Sequence, residues 1–87
     1  MTATHEAWVT DGVLLVFDGT VLEIFGYSEA VRLHIAYRPE LVFEDGRHLR
    51  LTIRYDNRRY HAMDYEPSRR HELEALAERV RAAHRPL

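Results

Sequence analysis

Asp11-Gly12-Val13-Leu14-Leu15-Val16-Phe17-Asp18-Gly19-Thr20-Val21-Leu22-Glu23-Ile24-Phe25 is the stretch whose reading decides the fold. An Asp-Gly pair between apolar runs is a strong hairpin signal, because both residues tolerate the positive φ that tight turns need. The first pair turns a strand over Glu6 to Thr10 into Val13 to Phe17, and the second turns that run into Thr20 to Phe25. A two-residue loop at Asp18-Gly19 predicts that Phe17 pairs with Thr20, Leu15 with Leu22 and Val13 with Ile24. These six then share one face, the expected core. The other face holds Leu14, Val16, Val21 and Glu23, so it is apolar as well. A strand pair that is apolar on both sides needs a second cover, either a helix or another chain.

Beyond Gly26-Tyr27-Ser28 the alternation continues. Val31, Leu33, Ile35 and Tyr37 alternate with Arg32, His34, Ala36 and Arg38, a half-buried strand that Pro39 ends. Leu41-Val42-Phe43 leads into the third Asp-Gly pair, Asp45-Gly46. A three-residue loop Glu44-Asp45-Gly46 predicts that Leu41 pairs with Leu49. Leu49 to Tyr55 alternates cleanly, Asp56-Asn57-Arg58 makes a turn, and Arg59 to Tyr65 forms the last strand.

One helix closes the chain over Ser68 to His84. Pro67 is acceptable at its first turn and Ser68 is the expected cap. Leu73, Leu76, Ala77, Val80, Ala83 and His84 form one stripe at helical spacing, and Pro86 stops the run. Arg69 and Arg70 stand against the macrodipole at the helix start. The expected architecture is mainly β with one C-terminal helix. It is a small antiparallel open barrel or sandwich of about seven strands (residues 6–65), capped by a helix (residues 68–84).

The 87 residues make one domain, expected to run over residues 1–87, with no room for a second core. The N-terminal residues have no basic region and no apolar core, so no signal peptide is expected, and no apolar stretch is long enough to span a bilayer. There is no cysteine, which excludes disulfide and thiol chemistry and fits a cytoplasmic chain. Net charge is −2, but residues 1–46 hold eight acids and two Arg while residues 47–87 hold six acids and ten Arg. All twelve basic residues are Arg.

Seven strands followed by one helix resembles the pleckstrin-homology fold. The hairpin from Gly12 to Ile24, the strand Val31-Arg32-Leu33-His34-Ile35 and the closing strand-then-helix are similar to short bacterial PH-like domains. The resemblance implies a non-enzymatic adaptor scaffold, lipid-binding in some members and protein-binding or oligomeric in others. Members that grip phosphoinositides place basic residues around the first turn. Here that turn is Thr10-Asp11-Gly12, which argues against phosphoinositide. The helix also lacks the Trp of many eukaryotic members; the single Trp is Trp8.

No residue pattern forms a catalytic or metal-binding motif. His34, His48, His61 and His71 are scattered, without the local spacing of a zinc site, so no metal is expected. The His61/Asp64 and His71/Glu74 pairs read as solvated surface, and no nucleophile elbow or phosphate loop occurs. No enzyme activity and no cofactor are expected. Two surfaces remain. Leu14, Val16 and Val21 form a candidate interface for a protein partner or a homodimer. Arg54, Arg58, Arg59, Arg69 and Arg70 form a candidate anion contact, for a phospholipid headgroup or, with Tyr60 or Tyr65 stacking, a base. The acidic balance and a pI near 6.3 argue against nucleic acid.

Overall fold

The computed structural model describes residues 4–26, 30–56 and 58–84, with the side chains of residues 58–60 outside that description. Seven strands form two antiparallel sheets. The first contains β1 (His5–Thr10), β2 (Val13–Phe17), β3 (Val21–Phe25) and β4 (Val31–His34), in that order. The second contains β5 (Glu40–Asp45), β6 (Leu49–Tyr55) and β7 (Arg58–Asp64). One helix, α1 (Arg70–Ala82), follows, and the two sheets do not close into a barrel. This is the mainly β architecture with a C-terminal helix that the alternation predicts.

Strand alternation places one face of each sheet inward. Ala7, Val9, Leu15, Phe17, Leu22, Ile24 and Leu33 of the first sheet meet Leu41, Leu51, Ile53 and Met63 of the second in one core. Leu73, Leu76, Ala77 and Val80 of α1 complete it, packed against β1 and β5. Leu73 and Val80 are wholly buried. At about 25 cal/mol per Å² of apolar surface, each such side chain contributes roughly 1.5–3 kcal/mol.

Three local expectations need correction. The β2–β3 loop is longer than two residues: Phe17 pairs with Leu22 and Leu15 with Ile24. The Asp18 carboxylate accepts the N–H groups of Thr20 and Val21, each at 2.8 Å, and Gly19 takes φ 98°. That Asx-type closure holds Asp18, Gly19 and Thr20 in the loop, and the shift of two leaves the core face unchanged. The β5–β6 loop is Gly46-Arg47-His48, because Asp45 pairs with Leu49 and Leu41 with Ile53. This register sets Glu44 opposite Arg50 and Glu40 opposite Arg54, favourable cross-strand charges. The strand expected up to Tyr37 ends at His34, and Ile35–Tyr37 is a 3-10 turn. His34 Nδ1 accepts the Ala36 N–H at 3.0 Å and Arg38 takes φ 55°, which bends the chain toward Pro39.

The helix start also differs. Pro67–Arg69 is a 3-10 turn, and Ser68 makes no capping bond to α1. The expected breaks at Tyr27-Ser28, Asn57 and Pro86 lie outside the described residues.

Candidate functional site

The outer face of the first sheet follows from the same alternation that builds the core. Ala7 and Val9 point inward on β1, so Glu6 and Trp8 point out; Leu14 and Val16 do so on β2, and Val21, Glu23 and Phe25 on β3. Register then arranges these side chains in rows. Trp8, Leu14 and Phe25 stand opposite one another across three strands. Glu6, Val16, Glu23 and Arg32 form the adjacent row across all four, and Val21 faces His34 in the next.

The candidate residues Leu14, Val16 and Val21 therefore lie on one face, all half-buried. Two large aromatics that sequence reasoning did not single out join them. Trp8 is 43% exposed and Phe25 37%. Alternation along His5–Thr10 carries the signal for Trp8; Phe25 needs the corrected register, which brings it opposite Leu14. The helix packs on the other side, against β1 and β5, as part of the inward core. Arg32 Nε lies 3.5 Å from Glu23 Oε2 at the margin of this face, with 68% of the Arg32 side chain exposed.

The five candidate arginines occupy different places. Arg69 and Arg70, which oppose the helix dipole, bind one acid of each sheet, Asp11 in the β1–β2 turn and Asp45 at the end of β5. The Arg69 Nη2 group lies 2.5 Å from Asp11 Oδ1 in the β1–β2 turn, and Nε lies 3.4 Å from Glu66. Arg70 Nη1 donates to Asp45 Oδ1 at 2.7 Å and to the Tyr65 hydroxyl oxygen at 2.6 Å, and Nε donates to Glu74 at 2.6 Å. Its guanidinium also sits 4.4 Å from the centre of the Phe43 ring, a cation–π contact. These bonds hold Arg70 fully charged, above its usual range, and hold the Asp45 carboxyl below its usual range, chiefly through the Arg70 and Tyr65 donors. Backbone donors from Val21 and Thr20 lower Asp18 in the same way.

Arg54 is exposed on the outer face of the second sheet, in register with Glu40 and Arg59, and Arg58 pairs with Tyr55 beside it. This group lies about 17 Å along β6 from the Leu49 end, where Arg70 is anchored. The structure thus brings Arg54, Arg58 and Arg59 together along the backbone and keeps Arg69 and Arg70 apart from them. The Arg58, Arg59 and Tyr60 side chains lie outside the described ones.

A concavity of about 270 Å³ on the outer face of the second sheet is lined by Val42, Glu44, Thr52 and Arg54. Thr52 is buried there and donates its hydroxyl to Glu44 Oε2 at 2.8 Å. A smaller one, about 180 Å³, lies beside it between Glu44, Gly46, Arg47, His48 and Arg50. Among the described residues no group of three His, Asp or Glu side chains gathers as a metal site, and no helix is long and apolar enough to cross a membrane. No family model, curated protein or solved structure matches this chain.

Proposed function

We propose that this chain is a small, non-catalytic interaction module of the PH-like kind, binding a protein partner or itself through the outer face of its first sheet. The observation that carries the reading is the row Trp8, Leu14 and Phe25, continued by Val16 in the adjacent row and left uncovered by the chain's own helix. Contiguous apolar surface on a charged, water-soluble domain marks an interaction site. A four-stranded and a three-stranded sheet followed by one helix support the PH-like assignment. With it go a bacterial source and, from the cysteine-free composition, a cytoplasmic location.

The alternative is an anion-binding module acting through the Arg-rich second half. It would have to work through Arg54, Arg58 and Arg59, since Asp11, Asp45 and Glu74 already hold Arg69 and Arg70.

Val16→Arg tests the first reading. Its cross-strand neighbours Glu6 and Glu23 accommodate the new charge, so the fold survives while the face becomes polar. Immobilised wild type is expected to retain a protein from a lysate that folded Val16→Arg releases. Equal retention by both would contradict the reading. Salt-sensitive binding to anionic vesicles or an oligonucleotide, lost in Arg54→Ala, would favour the alternative.

A further inference from the structure

The charges bordering this face select its occupant. Along the row Glu6–Val16–Glu23–Arg32, an acid stands at the β1 margin and a base at the β4 margin, three strand spacings or about 14 Å apart. Resting on the reading of this face as an interface, we infer that its occupant is a second copy of the chain. The two copies pack sheet to sheet about a two-fold axis that runs along the strands between β2 and β3.

Geometry fixes that axis. A face can meet its own copy only about an axis lying in the interface plane. An axis along the strands preserves each row and exchanges the margins, so β1 of one copy lies over β4 of the other. Glu6 then faces the partner's Arg32, twice by symmetry, and Leu14 faces the partner's Phe25. An axis across the strands through the same row would set Glu6 against Glu6 and Arg32 against Arg32, which like-charge repulsion disfavours. Arg32 has the capacity for the new contact. Its side chain is 68% exposed, its guanidinium approaches its own Glu23 through Nε at 3.5 Å, and that group carries five N–H donors in all.

Size sets the strength. Four strands span about 19 Å, and the three rows with their margins a similar length, so each copy buries on the order of 400 Å². The two copies together then bury about 800 Å², less than a stable interface needs, so the dimer is weak and transient and dissociates at roughly micromolar concentrations or above. Concentrated protein dimerises and dilute protein does not.

Sedimentation of the full chain over a wide concentration range, with Glu6→Arg and Arg32→Glu beside wild type, tests the inference. Wild type should pass from monomer to dimer with rising concentration. Each single variant opposes like charges at both symmetric contacts and should dimerise about tenfold more weakly. An equimolar mixture of the two variants restores opposite charges at both contacts and should associate more tightly than either alone. Glu6 and Arg32 are both exposed, so circular dichroism should show all three chains folded. A wild type that stays monomeric throughout would overturn the second copy as occupant. A mixture no tighter than its components would overturn this axis. Loss of lysate retention in Val16→Arg, the separate test of the interface reading, can succeed in either case and so distinguishes the two failures.

Discussion

The two sheets have similar inner faces and opposite outer ones. Both put alternating aliphatic residues into the shared core, Leu15, Leu22 and Ile24 from one and Leu51 and Ile53 from the other, all wholly buried. Outside, the second sheet presents charge. Glu40 and Arg54 form one row and Glu44, Arg50 and Asp64 another, with Val42, Thr52 and Ala62 between them. The first presents Trp8, Leu14, Val16, Val21 and Phe25 beside the charged row positions Glu6, Glu23 and Arg32. Antiparallel sheets commonly face water on one side, and the second does so with cross-strand charges. The first carries a row of large apolar side chains outward, Trp8, Leu14 and Phe25, that no row of the second matches among the described residues.

The most disruptive way to break the comparison is to remove what the sheets share. Leu73 of α1 is wholly buried in the common core. Leu73→Ala should cost about 2–5 kcal/mol and lower both sheets in one cooperative transition. Chemical denaturation followed by far-ultraviolet circular dichroism and by Trp8 fluorescence checks this. Non-coincident curves would show that the sheets unfold separately.

Next comes a contrast between glycines. Gly26 follows β3 at φ 132°, and a Cβ there would collide with the Gly12 carbonyl oxygen and approach Val13 Cα to 2.8 Å. Gly46, in the β5–β6 loop, has open space around the same position. Gly26→Ala should cost about 2–3 kcal/mol and Gly46→Ala close to nothing, measured by thermal melts. Equal effects would mean that the close approach of the β1–β2 turn to the end of β3 is misplaced.

These examples show what the sequence could and could not disclose. Period-two alternation specifies faces, and a register error of an even number of residues leaves them intact. That is why the two-sidedness of the first hairpin was legible although the pairing of Leu15 with Ile24 was not. The registers depended on partners that local turn chemistry does not reveal. Asp18 closes its own loop with two backbone N–H groups, whereas Asp45 stays in β5, bound to Arg70, 25 residues away. Arg69 and Arg70 looked misplaced at the helix start for the same reason. Their partners, Asp11 in the β1–β2 turn and Asp45 at the end of β5, belong to different sheets, which only the tertiary fold brings near. The candidate anion contact divided accordingly, and the apolar face gained Trp8 and Phe25.

Acid should affect both sheets through these two carboxyls. Asp18 and Asp45 have folded values below their unfolded ones, so their contribution to stability is present above about pH 4 and is lost as pH falls through the lowered folded values. Melting temperature should fall below that point. Asp18→Asn and Asp45→Asn should each be less stable near neutrality and show a flatter acid limb. An unchanged acid limb in both would contradict the bonding described here.

The smallest expected effects on stability separate the outer faces most clearly. Leu14→Ser on the first sheet and Val42→Ser on the second, both half-buried positions, should each cost only about 1 kcal/mol. Their effects on association should diverge, with Leu14→Ser weakening the dimer and Val42→Ser leaving it unchanged in sedimentation. A dimer weakened only by Val42→Ser would exchange the roles of the two sheets.

Trp8 offers the most direct measurement, because it is the single tryptophan and stands on the disputed face at 43% exposure. Acrylamide quenching of its fluorescence can be followed as the protein is concentrated. The dimer requires Trp8 to become progressively shielded in wild type and to stay more accessible over the same range in Leu14→Ser, which weakens the contact with the partner's Phe25. Quenching that is equal at every concentration in both chains would contradict it.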